Sequence, residues 1–460
     1  MFQFHLMKLL VAFVLLLLVA AGSILYLSRR ETPPAVTVEQ PVRVVGQTGT
    51  LTITVGTTAA KLKDLSIAVE QNGQVIPIAA DPSAKLVQAE PNLLRTSMPF
   101  GKQTVPQLKS GPARIVVSAT RKSFLNLRTL TTTATKDVQV RLEPPRISVV
   151  STHHYVNHGG SEFVVYRVNP PDVASGVRVG DVEYPGFPVG SDPAVKGAFF
   201  ALLYDQDLHT RIQAFARDEA RNEATASFID NVFEKPQKKS RIELDDKFVG
   251  RVVPEILEHS PELKIAPPGA DEDMMPAFLA VNGDLRRKNA DQIAAFAKQT
   301  SPTRLWDGPF VQLGNSKVEA AFADHRTYIY KGKEVDHQVH LGFDLAVTSR
   351  TPIVAANAGT VLNASWLGIY GNCIIIDHGM GVQSLYGHLS SFDVKVGDRV
   401  TRGQMIGRSG MTGLAGGDHL HFTMLVNGRM VNPVEWWDSH WIQDRVMRKL
   451  GEAGSSAATR

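Results

Sequence analysis

The chain has 460 residues, of which 43% are hydrophobic and 20% are charged, and its formal net charge is +4. This composition excludes a largely disordered protein, and the length predicts roughly three domains rather than one. The small positive excess is spread over the chain without a dense basic block, so no nucleic-acid partner is expected. Cys373 is the only cysteine, which excludes an intrachain disulfide and a metal site built on paired thiolates. Its apolar neighbours predict a buried strand.

An uncharged apolar run occupies the N-terminus. It extends from Leu9 to Leu27, and basic residues flank it on both sides (Lys8, Arg29 and Arg30). At about 1.5 Å per residue, a helix of this length reaches close to the roughly 30 Å hydrocarbon core of a bilayer. Residues 1–30 are therefore predicted to be a transmembrane signal-anchor. A cleaved signal peptide is the alternative, with Val19–Gly22 as the cleavage site, although the apolar run continues past it.

Residues 35–143 have the pattern of β structure. Apolar and polar residues alternate in Leu51–Val55, which is typical of a half-buried strand. Asn72-Gly73 lies between two further β-like runs and is a strong hairpin-turn pair. Pro144-Pro145 then interrupts the pattern and marks a domain boundary.

A second β-rich segment covers residues 146–232. Its end, Ile212–Ala224, is similar to the closing hairpin of bacterial immunoglobulin-like modules, in which an Asp-x-x-x-Asn turn joins the last two strands. We predict that both β-rich segments are β-sandwich-like (immunoglobulin-like) units.

Residues 234–304 change character again. Helix-like spacing of apolar residues occurs in Val252–Leu263 and in Asp291–Lys298. A short, partly helical connector is therefore predicted. Residues 439–460 are predicted to be a C-terminal tail.

Residues with metal-ligand chemistry are concentrated between the connector and the tail. His340 and Asp344 are four apart in sequence. His419 and His421 are two apart, and residues separated by an even number face the same side of an extended chain. Imidazole and carboxylate groups suit Zn²⁺, and catalytic zinc takes three protein ligands and a water. Two strand motifs can thus supply His, Asp and His, leaving one imidazole over, and His388 adds another.

The order of these motifs resembles that of the lysostaphin-type (LytM) zinc metallopeptidases, a family of peptidoglycan endopeptidases. The resemblance covers residues 305–438 and rests on three motifs: His340-x-Gly342-x-Asp344, Tyr386-Gly387-His388-Leu389 and His419-Leu420-His421-Phe422. It implies a C-terminal, mostly antiparallel β domain with a groove across it and zinc at the floor of the groove. The expected fold class of the whole chain is then mainly β and multidomain.

The resemblance also implies roles for five residues. His340, Asp344 and His421 are expected to ligate zinc. His388 and His419 are expected to be catalytic, one as the general base and the other as a hydrogen-bond donor to the developing oxyanion. We favour His419 as the base because its strand fixes it beside His421, and the reverse assignment stays open.

The implied activity is hydrolysis of peptide bonds in peptidoglycan stem peptides or cross-links, with Zn²⁺ as the cofactor. The alternatives are a non-enzymatic peptidoglycan-binding regulator of other wall hydrolases and a zinc peptidase acting on another extracellular peptide. The expected location is the bacterial inner (cytoplasmic) membrane, crossed once by the N-terminal helix, with the bulk of the chain in the periplasm or cell-wall space. The two β units would act as spacers, which we favour, as wall-binding modules or as an autoinhibitory cover.

Some positions depart from the family pattern. Ala323 stands where the family often has glycine, and alanine adopts a positive φ less readily. Asp418 replaces a common proline before the His-x-His strand, and Thr423 stands where an acidic residue is common. Of two further histidines near the motifs, His378 is predicted to lie in a turn and His337 at the surface.

Overall fold

A computed structural model describes residues 2–78, 86–266, 269 and 272–452 of the chain, with residues 2–6 described by their backbone alone. The described residues are mainly β, as predicted. The chain divides into two compact units. The first comprises Met1–Pro144 with Arg217–Glu223, and the second comprises Pro145–Ala216 with Ala224–Arg460.

Helix α1 (Phe2–Arg30) is the apolar N-terminal segment of the first unit. Its residues Met7–Arg30 are long and apolar enough to cross a membrane, by length and composition. Large apolar side chains such as Leu16 and Val19 are exposed along it, and a helix that is apolar on all sides is typical of a protein core or a membrane span. A membrane span and a signal sequence both have these properties.

The rest of the first unit is built from two sheets. Its strands are β1 (Val36–Gln40), β2 (Val44–Val45), β3 (Thr50–Val55), β4 (Leu62–Gln71), β5 (Gln74–Pro77), β6 (Val87–Glu90), β7 (Leu93–Pro99), β8 (Gly111–Lys122) and β9 (Thr129–Val140). The strand orders are β1-β3-β7-β6 and β2-β9-β8-β4-β5. Apolar side chains of both sheets fill one core. Asn72 and Gly73, with φ angles of 53° and 77°, form the predicted hairpin turn between β4 and β5.

The second unit begins with a further β-rich segment. Its strands are β10 (Arg146–Val149), β11 (Tyr155–Asn157), β12 (Ser161–Asn169), β13 (Ala174–Val179), β14 (Val182–Pro185), β15 (Phe187–Pro188), β16 (Val195–Ala201), β17 (Ile212–Arg217), β18 (Glu223–Ala226) and β19 (Asn231–Phe233). Two four-stranded sheets have the orders β10-β12-β16-β15 and β14-β13-β17-β18, and β11 pairs with β19. The immunoglobulin-like assignment of both β-rich segments stays a prediction.

The connector supplies one strand and several helices. They are β20 (Lys239–Leu244), α2 (Asp246–Glu258), α3 (Met275–Ala280) and α4 (Arg286–Phe296). A π-helical turn, Val281–Leu285, joins α3 to α4. Asp245 caps α2, because its side chain accepts a hydrogen bond from the backbone N–H of Phe248. The buried face of α2 packs in one core with Tyr370 and Leu425 of the segment that follows the connector.

The C-terminal segment is organised around a ten-stranded sheet. The strands of the C-terminal segment, two of which (β22 and β23) lie outside the large sheet, are β21 (Lys317–Ala320), β22 (Asp324–Tyr330), β23 (Lys333–His340), β24 (Phe343–Ala346), β25 (Pro352–Val354), β26 (Gly359–Trp366), β27 (Asn372–Gly379), β28 (Val382–Phe392), β29 (Arg399–Val400), β30 (Met405–Ser409), β31 (His419–Val426) and β32 (Arg429–Val431). The large sheet runs β21-β24-β31-β28-β27-β26-β29, with β25, β30 and β32 paired alongside. A separate sheet, β20-β22-β23, joins the connector to this segment. Cys373 is fully buried in β27, as predicted.

Short helical turns follow β32 in the described residues and pack against the β-rich segment at the start of the second unit. They are α5 (Val434–Trp437), α6 (Ser439–Trp441) and a π-helical turn, Ile442–Met447. The Trp436 ring lies 5.5 Å from that of Phe199. The Lys449 ammonium donates to Glu162 at 2.8 Å, and both side chains are fully buried. Glu435 accepts hydrogen bonds from Asn157 Nδ2 at 2.7 Å and from the Ser161 N–H at 2.6 Å.

We expect Glu435 to make the second unit less stable as the pH rises. Burial raises the pKa of Glu435 from 4.5 to about 7, although the hydrogen bonds from Ser161 and Asn157 favour its charged form. An acid with a raised folded-state pKa stabilises the fold while it is protonated, so this contribution is lost between about pH 4.5 and pH 7. The expected loss from pH 5 to pH 8 is about 2 kcal/mol.

Glu435→Gln removes the ionisable group and supplies the comparison. The free energy of unfolding of the second unit is measured by tryptophan fluorescence, since all five tryptophans lie in that unit. The wild type should lose about 2 kcal/mol relative to the variant between pH 5 and pH 8. A constant difference between the two proteins over this range would contradict a raised pKa.

Candidate metal centre

Three donor atoms from separate strands meet at one point in the C-terminal segment. His340 Nε2 lies 2.9 Å from Asp344 Oδ1 and 3.1 Å from His421 Nδ1. His421 Nδ1 lies 3.0 Å from the same carboxylate oxygen. These residues form a group with metal-ligand geometry within the described part of the chain. The predicted ligands are thus brought together.

Strand register accounts for this convergence. Asp344 in β24 lies directly opposite His421 in β31. His340 ends β23, and the chain leaves the strand at Leu341 and Gly342 before β24 begins. His340 and Asp344 therefore belong to different sheets, so the alternation of side chains along one strand does not explain their proximity. The break between β23 and β24 brings the two side chains together.

Gly342 makes room for one of the donors. A Cβ atom at this position would lie 2.5 Å from Cε1 and 2.6 Å from Nε2 of His421. Such distances are far below van der Waals contact, so only glycine leaves the imidazole ring in its place.

The hydrogen bonds around the centre indicate which ring nitrogens face it. His340 Nδ1 donates to the Ala321 carbonyl oxygen at 3.1 Å, which leaves Nε2 as the acceptor toward the centre. His421 presents Nδ1, and its buried Nε2 has no hydrogen-bond partner in the described residues. Burial alone would raise the pKa of Asp344, but His340, His419 and His421 hold it well below its usual value.

This donor set fits a divalent metal ion. Two imidazole nitrogens and one carboxylate oxygen are the ligands of many catalytic zinc sites, and tetrahedral donors around zinc are about 3.3 Å apart. The donor separations of 2.9 to 3.1 Å are close to this spacing. The largely buried Asp344 is also anionic, since its pKa is held low, and positive charge stabilises a carboxylate that is removed from water.

His388 and His419 lie beside the three donors, as predicted. His419 Nδ1 donates to the Gly417 carbonyl oxygen at 2.8 Å, and its Nε2 lies 3.4 Å from Asp344 Oδ1. His388 Nδ1 donates to the Thr412 carbonyl oxygen at 2.8 Å, and the two imidazole rings are 4.8 Å apart. The backbone φ of His388 is 62°, which non-glycine residues rarely adopt and which is common at functional sites.

The environment separates the pKa values of these two histidines. Burial and the neighbouring imidazoles hold the pKa of His388 well below its usual value. Burial also disfavours the charged form of His419, but the hydrogen bond and the charge of Asp344 outweigh burial and raise its pKa. Of the two, His419 is the stronger base.

Sequence reasoning missed Arg326. Its Nη2 donates to Asp344 Oδ2 at 3.0 Å, and its Nε lies 3.5 Å from Asp324 Oδ2. Ser240 of the connector donates to Asp324 at 2.8 Å. Arg326 therefore fixes the second oxygen of a candidate ligand. The available signal was its position three residues after Ala323, in the segment where the chain departs from the family glycine.

Three further positions discussed in the sequence analysis are Ala323, His378 and His337. Ala323 adopts a φ of 62°, so the turn forms without glycine at a cost of about 1 kcal/mol. The prediction for His378 was wrong, because β27 continues through it and buries it, with Nδ1 donating to the Ala358 carbonyl oxygen at 2.7 Å. His337 is exposed, as predicted, and pairs with Glu334.

All five predicted site residues line a single cavity of about 350 Å³. Its walls also include connector side chains from β20, α2 and α4, among them Leu244, Phe248 and Arg286. The arrangement combines a cation site, two imidazoles able to exchange protons and an enclosed space for a ligand.

Comparisons with known proteins agree with this chemistry. Residues 338–433 match the model of peptidase family M23. DD-carboxypeptidase/endopeptidase Mpg of Neisseria meningitidis is 41% identical over 97 residues, which are 21% of this chain and 22% of that protein. Peptidoglycan DD-endopeptidase ShyA of Vibrio cholerae is 41% identical over 159 residues, which are 35% of this chain and 34% of that protein.

The chain thus spans about a fifth to a third of the length of these curated relatives. Among solved structures, the catalytic domain of the antimicrobial peptidase lysostaphin from Staphylococcus simulans is 27% identical. That likeness covers 31% of this chain and 96% of the other, with a TM-score of 0.21. The match to the family model assigns a peptidase M23 domain, of the lysostaphin (LytM) family, to residues 338–433 of the chain.

Proposed function

We propose that the protein is a zinc-dependent endopeptidase that hydrolyses peptide bonds in peptidoglycan stem peptides or cross-links. The observation that carries this proposal is the meeting of His340 Nε2, Asp344 Oδ1 and His421 Nδ1 within 3.1 Å of one another, beside two further imidazoles. The M23 domain and the peptidoglycan endopeptidase among its relatives support the substrate class.

His340, Asp344 and His421 would hold the zinc ion. When bound, zinc supplies a Lewis acid that activates water at neutral pH. Arg326 keeps the Asp344 carboxylate oriented through Oδ2, so that Oδ1 stays directed at the two imidazole nitrogens. Holding the ligands in place before the metal arrives reduces the cost of assembling the site.

His419 would act as the general base and His388 as the group that stabilises the oxyanion. The higher basicity of His419, which comes from Asp344, supports this assignment. The reverse assignment stays open, because both imidazoles donate through Nδ1, to Thr412 and to Gly417, and each then has an Nε2 that can accept a proton.

Two other functions fit the chain less well. A non-enzymatic regulator has no need of two buried proton-exchanging imidazoles beside an intact ligand set. A peptidase acting on another extracellular peptide is separated from a wall peptidase by mass spectrometry of the fragments released from purified peptidoglycan.

The N-terminal helix would anchor the chain in the inner membrane, with the remainder in the periplasm or cell-wall space. The apolar length of Met7–Arg30 and the peptidoglycan-acting relatives support this location. We propose residues 35–143 as a spacer between the anchor and the peptidase. Residues 146–232 would instead be a scaffold, because they share one core with the peptidase segment.

His421→Ala should lose metal and activity together. Two remaining donors are too few for a catalytic zinc site. Zinc bound by the full chain should fall from about one equivalent to near zero, and fragment release from peptidoglycan should fall at least about 100-fold. His337→Ala, at an exposed histidine, is the control and should retain both. Equal fragment release by His421→Ala and the wild type would refute the proposed site.

Gly342→Ala should weaken metal binding without unfolding the sheet. The added Cβ would displace the His421 ring, which it would approach to 2.5 Å. We expect zinc affinity, measured by competition with a chromophoric chelator, to fall roughly 10–100-fold. Gly314→Ala is the control, since a Cβ there meets no atom within 4 Å. Unchanged affinity in Gly342→Ala would mean that the ring position does not limit binding.

His388→Ala and His419→Ala should both keep zinc and lose roughly 100- to 10,000-fold in kcat. Removing the general base also removes the acidic limb of the pH profile of kcat/KM, whereas removing the oxyanion donor leaves this limb in place. We expect the limb to disappear in His419→Ala. Its disappearance in His388→Ala would exchange the two roles.

A further inference from the structure

One wall of the metal-centre cavity belongs to the connector and carries an arginine. Arg286 is the first residue of α4 and lines the cavity together with His340, Asp344 and His421. It follows the π-helical turn Val281–Leu285, a kind of irregularity that is frequent at functional sites. No role in peptide hydrolysis described above uses this side chain.

The Arg286 guanidinium is held by a buried neighbour. Its Nε donates to the Asn282 backbone oxygen at 3.0 Å, and its Nη2 donates to Asn282 Oδ1 at 2.6 Å. Asn282 is fully buried and in turn donates to Asp336 Oδ2 at 2.7 Å. Arginine has five N–H donors, so the Nη1 group and one hydrogen of Nη2 are left for a ligand. The free hydrogen of Nη2 and one hydrogen of Nη1 form the end-on edge of the guanidinium, which suits two-point binding of a carboxylate.

The other charged groups of the cavity wall are engaged or exposed. Arg326 is paired with Asp344 and Asp324. Asp245 caps α2 through Phe248, and Glu243 is exposed. Within the described residues, no carboxylate lies at ion-pair distance from Arg286, so its guanidinium has no direct acidic partner.

Apolar side chains of the connector line the cavity together with Arg286. Leu244 and Phe248 line the same cavity, and Ala290 follows one turn after Arg286 in α4. Tyr370 also lines the cavity, and its ring lies 5.4 Å from that of the candidate ligand His421.

We propose that Arg286 is a specificity-determining residue that binds a free carboxylate of the peptide whose scissile bond lies at the metal centre. The inference rests on the proposed function and names its substrate class: peptides that carry a free carboxylate near the cleaved bond, rather than an amide. Removing water from an ion pair between these groups strengthens it. A charge-assisted pair of this kind changes affinity roughly 10–100-fold.

The test compares two peptides that differ in one group. Both are the same cross-linked peptide, one with a free carboxylate near the scissile bond and one with that carboxylate converted to a primary amide. Binding to the full, zinc-loaded chain is measured by calorimetry and hydrolysis by mass spectrometry. The wild type should bind the carboxylate form roughly 10–100-fold more tightly than the amide. Arg286→Met should bind both forms equally, with affinity for the amide changed less than about threefold.

Arg287→Met is the matched control. Arg287 is the next residue in α4, is exposed, and pairs with Asp284. Its substitution removes one positive charge from the same helix, but outside the cavity. This variant should keep the preference for the carboxylate. A preference lost equally in both variants would point to general attraction and overturn the assignment.

The remaining outcomes separate this inference from the proposed function. Equal binding of the two peptides by the wild type overturns the role of Arg286 without use of any variant, whatever the stability of Arg286→Met. A retained preference in Arg286→Met overturns it as well. If the wild type prefers the carboxylate form in an Arg286-dependent way but hydrolyses neither peptide, the carboxylate site stands and the proposed peptidase activity fails.

Discussion

The carboxylate of Asp344 is the group on which the candidate centre depends. Its Oδ1 lies 2.9 Å, 3.0 Å and 3.4 Å from nitrogen atoms of three histidines, and its Oδ2 accepts a hydrogen bond from Arg326. A buried carboxylate is stable only when donors or cations surround it, so these four side chains are drawn toward one point. The carbonyl oxygens of Ala321 and Gly417 then orient two of the imidazoles from behind.

The C-terminal segment, which carries the candidate metal centre, packs against the rest of the second unit. Strand β20 of the connector extends the sheet that carries His340, and α2 packs on the face of the large sheet through a shared core. The preceding β-rich segment contributes Phe199 to an aromatic cluster with Trp436 and Glu162 to a buried ion pair. Because these contacts are buried, we expect the β-rich segment and the C-terminal segment of the second unit to keep a fixed arrangement rather than move independently.

Local sequence pattern was sufficient where a single element decides the outcome. The shared face of His419 and His421 follows from the two-residue period of one strand. The same period also predicts that His340 and Asp344 lie close together, and they do. However, their proximity does not come from that period, because the strand breaks at Gly342 and the motif spans two sheets. Arg326 and Arg286 could not be assigned in this way. Strand pairing and helix packing bring them to the cavity, and contacts between residues distant in sequence leave no local pattern.

The fully buried thiol of Cys373 has a practical consequence. Its side chain is enclosed in the middle of the large sheet, and burial raises its pKa, so the reactive thiolate is scarce. A cysteine engineered at an exposed position of either compact unit would then be the one readily alkylated group among the described residues. Pairs of such positions would accept spin labels or fluorophores without any background mutation, and the separation of the two units could be followed in a membrane environment.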